Sequence, residues 1–356
     1  MSSERSGSPL ISIIITSYNG SELVKRCVRS VLERTRHPNY EVIVVKYGPR
    51  AYEGLDKLED PRVKIIRIPE NVGYSRANNI GLKNAEGELI AFLNNDTIVA
   101  EGWLTALYEL LSSSDPDVAA VQSKLRLLSH PKRIDAVGLA FSPLGFLKPI
   151  GYMELDRGQH DHVVELCIIQ PAACLIRREI LRRIGGLFDP DYFWGHEDTD
   201  LSIRIHLAGY RMLLCPKSLV YHIRSATISR ARPEALTYYF RRNVILTMLK
   251  NYGLLTLAKY LPIHMMILAI IMVWNLATGR GLQSLAILKA LWWNLRNLKA
   301  TLAKRALVQA KVRIISDGKL MTKLYGPSLL ELFKARQKGP LVIGHLKRGK
   351  PLNTGA

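Results

Sequence analysis

Short apolar runs rich in β-branched residues alternate with segments of helical spacing over roughly the first 130 residues. The first run, LISIIITS at 10–17, ends at the turn signal Tyr18-Asn19-Gly20, and Leu23, Cys27 and Val31 then recur on one helix face. Patterns of this kind predict strands at 10–17, 40–45, 63–68, 88–93 and 118–121, and helices at 21–33, 75–84 and 103–111, the first with Ser21 as its N-cap.

The pattern loosens in the next hundred residues. It indicates strands or loop at 134–147, a buried strand at 166–176, helices at 178–185 and 199–209, and strands at 211–214 and 219–222. Because strands and helices alternate as in βαβ units, we expect an α/β fold with a mostly parallel sheet and ligands at the strand carboxyl ends. Basic helices dominate after Arg232-Pro233, so we predict one domain at 1–232 and a helical basic region at 233–356.

Two of the predicted strand and helix ends carry acidic residues. The strand at 88–93 runs into Asn94-Asn95-Asp96-Thr97, and Glu197-Asp198-Thr199-Asp200 precedes the helix at 199–209. Taken singly, the first segment is typical of a turn, and the second is typical of a helix start with Asp198 or Thr199 as N-cap. An acidic residue leaving a buried strand is also well placed to hold a divalent cation on a diphosphate.

The order of several motifs resembles family 2 glycosyltransferases. The resemblance rests on Asn71-Val-Gly-Tyr-Ser-Arg-Ala-Asn-Asn-Ile-Gly81, on the segment from Ala85 to Asp96, and on the segment from Arg177 through Gly-Gly-Leu-Phe-Asp189 to Glu197-Asp198-Thr199-Asp200-Leu-Ser-Ile-Arg204. It covers roughly residues 9–250 and includes the flanking Tyr221-His222. It implies a GT-A fold, in which a Rossmann-like nucleotide-binding sheet is joined to an acceptor-binding half, and a sugar-transferring enzyme of the hexosyltransferase type.

The resemblance also implies roles for individual residues in the reaction. Asn94-Asn95-Asp96 matches the family's metal motif, so Asp96 would contact a Mg²⁺ or Mn²⁺ ion on the donor diphosphate, with His222 as a second metal ligand. Asp198 matches the general base that gives inversion at the anomeric carbon, and Trp194 and Glu197 match positions that line the acceptor site. For His222, an ordinary strand-end histidine is an equally good interpretation.

These roles agree with the chemistry of sugar transfer. The leaving group is an anionic nucleoside diphosphate, which a divalent cation neutralises. A sugar hydroxyl is a poor nucleophile, so a carboxylate has to remove its proton as the new bond forms. Glu197 next to Asp198 would raise the proton affinity of that base through like-charge proximity.

Three of the residues expected to contact the sugar donor depart from the family pattern. Lys46 stands where the family has an Asp that contacts the nucleoside, and because a lysine accepts no hydrogen bond it would contact phosphate or point to solvent. Asn94 replaces the first Asp of the metal motif, as in rhamnosyltransferase-like members, and Asn78 replaces an Arg. These changes leave the nucleotide open and keep a non-catalytic scaffold that binds sugar nucleotide or glycan as an alternative. The positions expected to contact the donor are Thr16, Tyr18, Asn19, Lys46, Asn71, Gly73, Asn78, Asn94, Asn95 and Asp96.

The charge of the chain is concentrated at its C-terminal end. The formal charge is +20 overall, but residues 1–240 have a net charge of +2 and residues 241–356 one of +18. The basic residues alternate with long apolar runs and no nucleic-acid-binding motif occurs, so we expect no nucleic-acid partner. The turn after the first strand lacks Gly-x-Gly-x-x-Gly, which argues against a dinucleotide-dependent oxidoreductase.

The most apolar stretch lies at 254–277, and Met265–Trp274 is its uninterrupted core. Basic residues flank it on both sides, so a single membrane span would oppose the positive-inside tendency. An interfacial or re-entrant helix, or a hairpin with 282–295, keeps both flanks in the cytoplasm. Residues 282–308 fit an interfacial helix anchored by Trp292-Trp293, or else a buried core helix, and 320–338 and Lys347–Lys350 add positive charge. We therefore expect a membrane surface as a partner, a lipid-linked or glycan acceptor, and a location at the cytoplasmic face of the cell membrane.

Overall fold

A computed structural model describes residues 7–20, 22–54, 60–224 and 232–324. The N-terminal half is a βαβ array, in which the predicted strands and helices are present with ends shifted by a few residues. The predicted N-cap Ser21 lies outside the described residues. The elements are β1 (Ile11–Tyr18), α1 (Glu22–Arg34), β2 (Tyr40–Tyr47), β3 (Val63–Ile68), α2 (Gly73–Lys83), β4 (Leu89–Asn94), β5 (Thr97–Val99) and α3 (Trp103–Ser113).

The following residues complete the sheet and add two short strands beside it. These elements are β6 (Val118–Leu127), β7 (His130–Ala136), β8 (Leu139–Phe141), β9 (Leu147–Pro149), β10 (Ala173–Arg177), α4 (Arg178–Arg183), a 3₁₀ turn (Pro190–Tyr192), α5 (Glu197–Leu207) and β11 (Arg211–His222). The strand order is β3-β2-β1-β4-β10-β6-β11-β5, with β7 paired to β6 and β8 paired to β9. β1–β4 are parallel, and β10 runs antiparallel to both of its neighbours.

Two predicted strand assignments differ from the structure. The predicted strand at 166–176 is wrong in its first half, because only Ala173–Arg177 is a strand and Pro171 just before it has no N–H to donate to a ladder. The two strands predicted at 211–214 and 219–222 form one strand, β11, with an irregular register between Cys215 and Leu219. The segment left open at 134–147 falls in β7–β9.

Apolar side chains cover both faces of the sheet, as expected for a parallel sheet. Successive residues of β1 point to opposite faces. Ile14 belongs to the buried cluster that includes residues of α2 and α5, whereas Ile13 and Ile15 belong to the cluster that includes α1 and the buried Trp103 of α3. Both faces are therefore occupied by the chain, and the open functional edge of the sheet is the one formed by the strand ends.

Helices dominate the C-terminal region, as predicted. They are α6 (Pro233–Asn251), α7 (Leu254–Ala277), α8 (Gly281–Arg296), α9 (Leu298–Leu307), a π-helical turn (Val308–Val312) and α10 (Asp317–Lys323). The continuous helix at 282–308 is wrong, because α8 ends before Asn297 and α9 begins after it. Of the predicted segment 320–338, residues after 324 lie outside the described part of the chain, as does the Lys347–Lys350 tail.

The second half of α6 belongs to the main core rather than to a separate layer. Val244, Met248 and Tyr252 are buried with the residues of α2 and α5. The division at residue 232 marks the start of α6 but stays a prediction as a domain boundary. The sheet and the C-terminal helices share one hydrophobic core.

Buried ion pairs hold α6 against α5. Asp200 is fully buried, and its carboxylate meets Arg204 Nε at 2.9 Å and Lys250 Nζ at 3.0 Å. Asn251 Nδ2 donates a third contact at 2.9 Å. Burial alone would raise the pKa of Asp200, but the charges of Lys250 and Arg204 hold that pKa well below its usual range.

We predict that Asp200→Ala lowers the free energy of unfolding by about 3–5 kcal/mol, because it leaves Arg204 and Lys250 buried without a counter-charge. Urea denaturation of the full chain measures the change. The stabilisation by Asp200 is present above its unfolded pKa of about 3.9 and is lost as the pH falls through the lowered folded value.

Glu179→Ala is the matched control, since Glu179 also faces an arginine four positions on, Arg183, but both side chains are more than 60% exposed. The control should change the free energy of unfolding by less than about 0.5 kcal/mol. Equal changes in both variants would show that burial of the pair is not what stabilises the fold.

Candidate functional site

Asp96 and His222 meet at the edge of the sheet, although 126 positions separate them in the chain. β5 pairs with the end of β11, which brings His222 opposite Thr97. His222 Nε2 lies 3.1 Å from Asp96 Oδ1, and its Nδ1 lies 2.7 Å from Asp135 Oδ2. The two residues predicted as metal ligands therefore lie together.

Asp135 is the residue that fixes the His222 ring. No sequence pattern singles it out, because it lies in the segment left open between strand and loop. Its carboxylate is buried and also pairs with Arg224. Burial would raise the pKa of Asp135, but His222 and Arg224 hold it below its usual range. Burial likewise opposes the charged form of His222, yet Asp96 and Asp135 raise the pKa of the ring to about 10.

The side chains at this edge of the sheet fit a divalent cation that has two protein ligands, Asp96 and His222. One ring nitrogen of His222 is held by Asp135 and the other is directed at Asp96, which is the arrangement typical of a metal-bound histidine with an outer carboxylate. In the described ranges no group of three or more histidine, cysteine or acidic side chains is arranged to hold a metal by itself. The remaining coordination positions would fall to oxygens of a ligand or of water.

Hydrogen bonds link the predicted donor residues of β1, α2 and β4. Asn78 Nδ2 donates to Tyr74 O at 2.9 Å and lies 3.4 Å from Thr16 Oγ1. The Tyr74 hydroxyl donates to Asn94 Oδ1 at 3.2 Å. The side-chain amide that replaces the first Asp of the metal motif therefore serves as an acceptor. Asn95 Nδ2 donates to a serine hydroxyl of β1, Ser17 Oγ, at 3.0 Å.

Lys46 is fully buried, so the expectation that it points to solvent is wrong. Its ammonium group donates to the carbonyl oxygens of Arg50, at 3.3 Å, and of Glu53. Asn19 Oδ1 accepts from Arg50 N at 3.0 Å, which fixes the same loop from β1. The side chain that replaces the family's Asp thus holds the loop after β2, and its contact with a donor phosphate stays a prediction.

Tyr18, another residue predicted to contact the donor, packs its ring against Tyr47 of β2, with 5.5 Å between the ring centroids.

Glu197 and Asp198 form the first turn of α5. The expected N-cap at Asp198 or Thr199 is wrong, because His196 precedes the helix with a positive φ of 65°. Asp198 Oδ1 instead accepts from the backbone N–H of Thr199 at 2.6 Å. Glu197 Oε2 is buried and has no hydrogen-bond partner within the described part of the chain.

Burial is the main reason why both carboxyl groups hold protons tightly. It raises the pKa of Glu197 and that of Asp198, and the charge of Asp198 raises the pKa of Glu197 further. The like-charge effect expected for Asp198 thus acts on its neighbour instead. Its hydrogen bonds to Thr199 partly offset the effect of burial on Asp198.

The loop that carries Trp194 is held by α6. Asn243 Nδ2 is shared by the carbonyl oxygens of Tyr192, Trp194 and Gly195, at 2.9, 3.0 and 2.6 Å. The Trp194 ring meets Phe240 of α6 edge-on at 5.7 Å. Sequence reasoning missed Asn243 because it lies in the region interpreted as membrane-associating.

The predicted donor residues and the loop predicted to line the acceptor site touch where Gly73 meets Phe193. Gly73 has a φ of +77°, and a Cβ there would lie 2.5 Å from the Phe193 ring. Ser75 N donates to Phe193 O at 3.2 Å, and Asn71 Oδ1 accepts from Gly73 N at 3.2 Å. The start of α2 therefore connects the strand ends with the loop leading to Glu197 and Asp198.

Residues 12–185 match the family model described as Glycosyl transferase family 2. These residues form a family 2 glycosyltransferase domain. The chain is 32% identical over 252 residues to the uncharacterized protein y4gI of Sinorhizobium fredii, covering 67% of this chain and 27% of that protein. It is 30% identical over 241 residues to the O-antigen biosynthesis protein RfbC of Myxococcus xanthus, covering 64% and 18%. The chain thus spans about a quarter or less of the length of these two relatives.

The fold of the glycosyltransferase domain is GT-A, as the sequence predicted. The crystal structure of GalNAc-T7 with UDP, GalNAc and Mn²⁺ superposes with a TM-score of 0.52 at 18% identity, over 67% of this chain and 47% of that one. The similarity confirms the mixed α/β fold around a central sheet, which is followed here by the helical C-terminal region.

We predict that Gly73→Ala impairs the glycosyltransferase domain by pushing Phe193 out of place. A left-handed φ costs an alanine about 1–2 kcal/mol, and the contact with the Phe193 ring adds roughly 1–3 kcal/mol of overpacking. Urea denaturation gives the loss of stability, and the rate of nucleoside diphosphate release from a sugar donor gives the loss of function.

Gly102→Ala is the control, since Gly102 has a φ of +70° at the start of α3 but open space around its Cβ position. It should show the backbone penalty alone and an unchanged rate. A Gly73→Ala variant that behaves like the control would rule out the proposed role of the contact.

Proposed function

We propose that this glycosyltransferase moves a sugar from a nucleotide sugar to a hydroxyl of a lipid-linked or glycan acceptor, with inversion and with a divalent cation. The observation that carries the proposal is the Asp96–His222–Asp135 chain at the strand ends. A second observation supports it. The loop that leads to the buried carboxyl pair of Glu197 and Asp198 contacts the start of α2, where Gly73 meets Phe193.

Asp96 and His222 would hold the cation, and Asp135 would orient the histidine. When bound, a Mg²⁺ or Mn²⁺ ion would neutralise charge on the diphosphate leaving group. The GalNAc-T7 structure, solved with UDP and Mn²⁺, supports such a site by analogy of fold. The hydrogen-bonded set of Thr16, Asn78 and Asn94 would shape the donor site beside it.

Asp198 would act as the general base. The acceptor oxygen forms a bond to the anomeric carbon while the bond from that carbon to the diphosphate oxygen breaks on the opposite face, and Asp198 takes the hydroxyl proton. Burial raises the pKa of Asp198, which makes its ionised form a stronger proton acceptor than an exposed aspartate. Thr199 holds one of its oxygens in place.

Trp194 and Glu197 would line the acceptor position. The hydrogen bonds from Asn243 keep the Trp194 loop rigid, which favours a defined position for the acceptor hydroxyl. The similarity to a protein named for O-antigen biosynthesis supports an acceptor in polysaccharide or glycolipid assembly.

We expect Asp198→Asn to lower sugar transfer by about 10²- to 10⁴-fold and to leave donor binding intact, since the amide cannot take the proton. A panel of UDP-, GDP- and dTDP-sugars with and without Mn²⁺ gives binding by thermal shift and turnover by nucleoside diphosphate release. For the wild-type chain, kcat/KM should rise with pH through an acidic limb well above the ordinary aspartate pKa of about 3.9.

Asp115→Asn is the control, because Asp115 is an exposed carboxylate remote from the site and should leave turnover unchanged. EDTA should remove both turnover and the Mn²⁺-dependent part of donor binding. Retained turnover in Asp198→Asn contradicts the base assignment. Donor binding without any nucleoside diphosphate release from the wild-type chain supports instead a non-catalytic scaffold, as the Lys46 and Asn94 departures allow.

We further propose that α7 and α8 rest on the cytoplasmic membrane surface. α7 is the one helix among the described residues that is long and apolar enough to cross a bilayer, with 24 residues and a mean hydropathy of 1.9. Leu268 of α7 packs against Ile245 and Ile287. The other side of α7 is exposed, at Met266, Ile270 and Val273. A helix that packs on protein along one side and shows apolar residues on the other fits an interfacial position better than a span.

The partner that suits this face is an anionic bilayer. α8 continues the apolar surface with Leu285, Leu288 and Trp292, which are about half exposed or more. Lys289, Arg296 and Lys299 stand exposed among them and would gain about 1 kcal/mol each near anionic lipid.

We predict that Ile270→Glu weakens binding to phosphatidylglycerol–phosphatidylcholine vesicles by about tenfold or more, because one buried isoleucine contributes about 1.5–3 kcal/mol. Co-sedimentation of the full chain measures the partition. Val163→Glu, at an exposed valine of the sheet domain, is the control and should bind like the wild type. Equal partition of Ile270→Glu and the wild type contradicts the membrane face.

A further inference from the structure

Arg224 follows His222 by two residues and binds the carboxylate that orients the His222 ring. Its Nη1 donates to Asp135 Oδ1 and, at 3.3 Å, to the carbonyl oxygen of the same residue. The other carboxylate oxygen, Asp135 Oδ2, lies 2.7 Å from His222 Nδ1. The Asp135 side chain is only 1% exposed, so these two partners take the place of water around it. Arg224, Asp135 and His222 therefore form a continuous chain that ends at Asp96.

The backbone of Arg224 has a conformation that is unfavourable for a residue with a Cβ. Its φ is +54°, in the left-handed region. The chain just before it is fixed, because Ile223 N donates to Asp96 O at 2.8 Å. Strained residues of this kind persist only where the surrounding contacts determine them, and they cluster at functional sites. The strain at Arg224 is therefore balanced by the contacts that its guanidinium group makes.

Tyr152 covers one face of that guanidinium group. The central carbon of the Arg224 guanidinium lies 4.1 Å from the centroid of the Tyr152 ring, within the range in which a cation is attracted to an aromatic face. The Arg224 side chain is 21% exposed, whereas Tyr152 is 43% exposed. The contact thus holds the guanidinium between a surface tyrosine and a buried aspartate.

The segment that carries Tyr152 is itself fixed to the sheet. Ile134, the neighbour of Asp135, exchanges two backbone hydrogen bonds with residues 153 and 154, each of 2.9 Å. Asp156 is 1% exposed, and its carboxylate lies 3.0 Å from the buried Nζ of Lys124 on β6. The Tyr152 ring therefore has a defined position relative to Asp135.

These contacts bear on how His222 binds a metal ion. The hydrogen bond made by one ring nitrogen sets the orientation of the ring, and with it the direction of the other nitrogen. Asp135 can set that direction only while its own carboxylate is held in place. Arg224 holds the carboxylate oxygen that His222 does not use, and Tyr152 restricts the plane of the guanidinium.

We propose that Arg224 and Tyr152 are positioning residues for the divalent cation, which hold Asp135, and through it His222, in the orientation that binds the ion. Neither residue would contact the ion. The inference rests on the proposed function, because it takes Asp96 and His222 as the metal ligands. It extends the metal site from the strand ends to the segment around residue 152.

The test is titration of the full chain with Mn²⁺ alone, with the free ion followed by electron paramagnetic resonance. Arg224→Met should weaken Mn²⁺ binding by about tenfold, near the lower end of what the loss of a group supporting a metal ligand typically costs. Removal of a positive charge near a cation would by itself strengthen binding. Weaker binding therefore reports the lost orientation of Asp135, and without a nucleotide sugar no contact of Arg224 with a phosphate contributes.

Arg62→Met is the matched control. Arg62 also pairs with an aspartate, Asp60, and also lies over a tyrosine ring, that of Tyr40, but it directly precedes β3 at the amino end of that strand. This variant should bind Mn²⁺ like the wild type.

Two variants of Tyr152 test the ring contact. Tyr152→Leu removes the aromatic face and should weaken Mn²⁺ binding by about two- to fivefold. Tyr152→Phe keeps the face and should bind like the wild type. Because Tyr152 is a surface residue, both variants should melt like the wild type without metal, so a lower affinity of the leucine variant does not come from unfolding. This pair also serves as the test if Arg224→Met does not fold.

Two outcomes would overturn the proposal. They are unchanged or tighter Mn²⁺ binding in Arg224→Met, and equal Mn²⁺ affinity of Tyr152→Leu and Tyr152→Phe. His222→Ala distinguishes this failure from that of the metal site, because it should weaken Mn²⁺ binding even where Arg224 and Tyr152 have no effect. A His222→Ala variant that binds like the wild type would contradict the metal site and this inference together. Binding needs no turnover, so a failure of sugar transfer with every donor would contradict the proposed function and leave the metal-binding result standing.

Discussion

The pairing of Asp189 and Asp200 with Lys250 is the interaction on which the mutual position of α5 and α6 depends. Lys250 Nζ lies 2.7 Å from Asp189 and 3.0 Å from Asp200, in a fully buried position between α5 and α6. Asp200 lies two residues after Asp198, so the contact that fixes α6 also fixes the first turn of α5. Asn243, two turns earlier on α6, then sets the Trp194 loop. The position of the candidate base is therefore determined from the C-terminal helices as much as from the sheet.

Most buried charged groups around the site have compensating partners, but one of them does not. Asp200, Asp135 and Lys46 each lie among groups that compensate them, and these groups shape the backbone around the site. Glu197 lacks such a group within the described residues, since its buried Oε2 has no hydrogen-bond partner there. A buried polar atom without a partner is unfavourable, so Glu197 Oε2 is a place where a bound ligand or water would supply the missing hydrogen bond. The contrast depends on position and not on residue type, since the neighbouring Asp198 accepts hydrogen bonds from Thr199.

Much of the fold could be predicted because the spacing of apolar residues and the presence of turn-forming residues are local properties of the sequence. β3 and α7 have the predicted limits, and the strand-end motifs placed Asp96 and Asp198 in an α/β framework of the right class. What could not be predicted depends on long-range contacts. Asp135 acquires its role only when β7 meets β11, and Asn243 only when α6 packs on the Trp194 loop. Lys46 is a further case, because no local pattern distinguishes a lysine that bonds to loop carbonyls from one in solvent.

The shared core of the sheet and α6 bears on how such a chain can change during evolution. Val244, Met248 and Tyr252 share one buried cluster with residues of α2 and α5, and Asn243 donates to three carbonyl oxygens of the loop that carries Trp194. A protein cut after residue 232 would keep its strand-end polar residues but would lose the support of the loop that leads to Asp198. The C-terminal helices therefore cannot be exchanged as an independent module, and any change to the exposed outer faces of α7 and α8 has to preserve the inner face of α6.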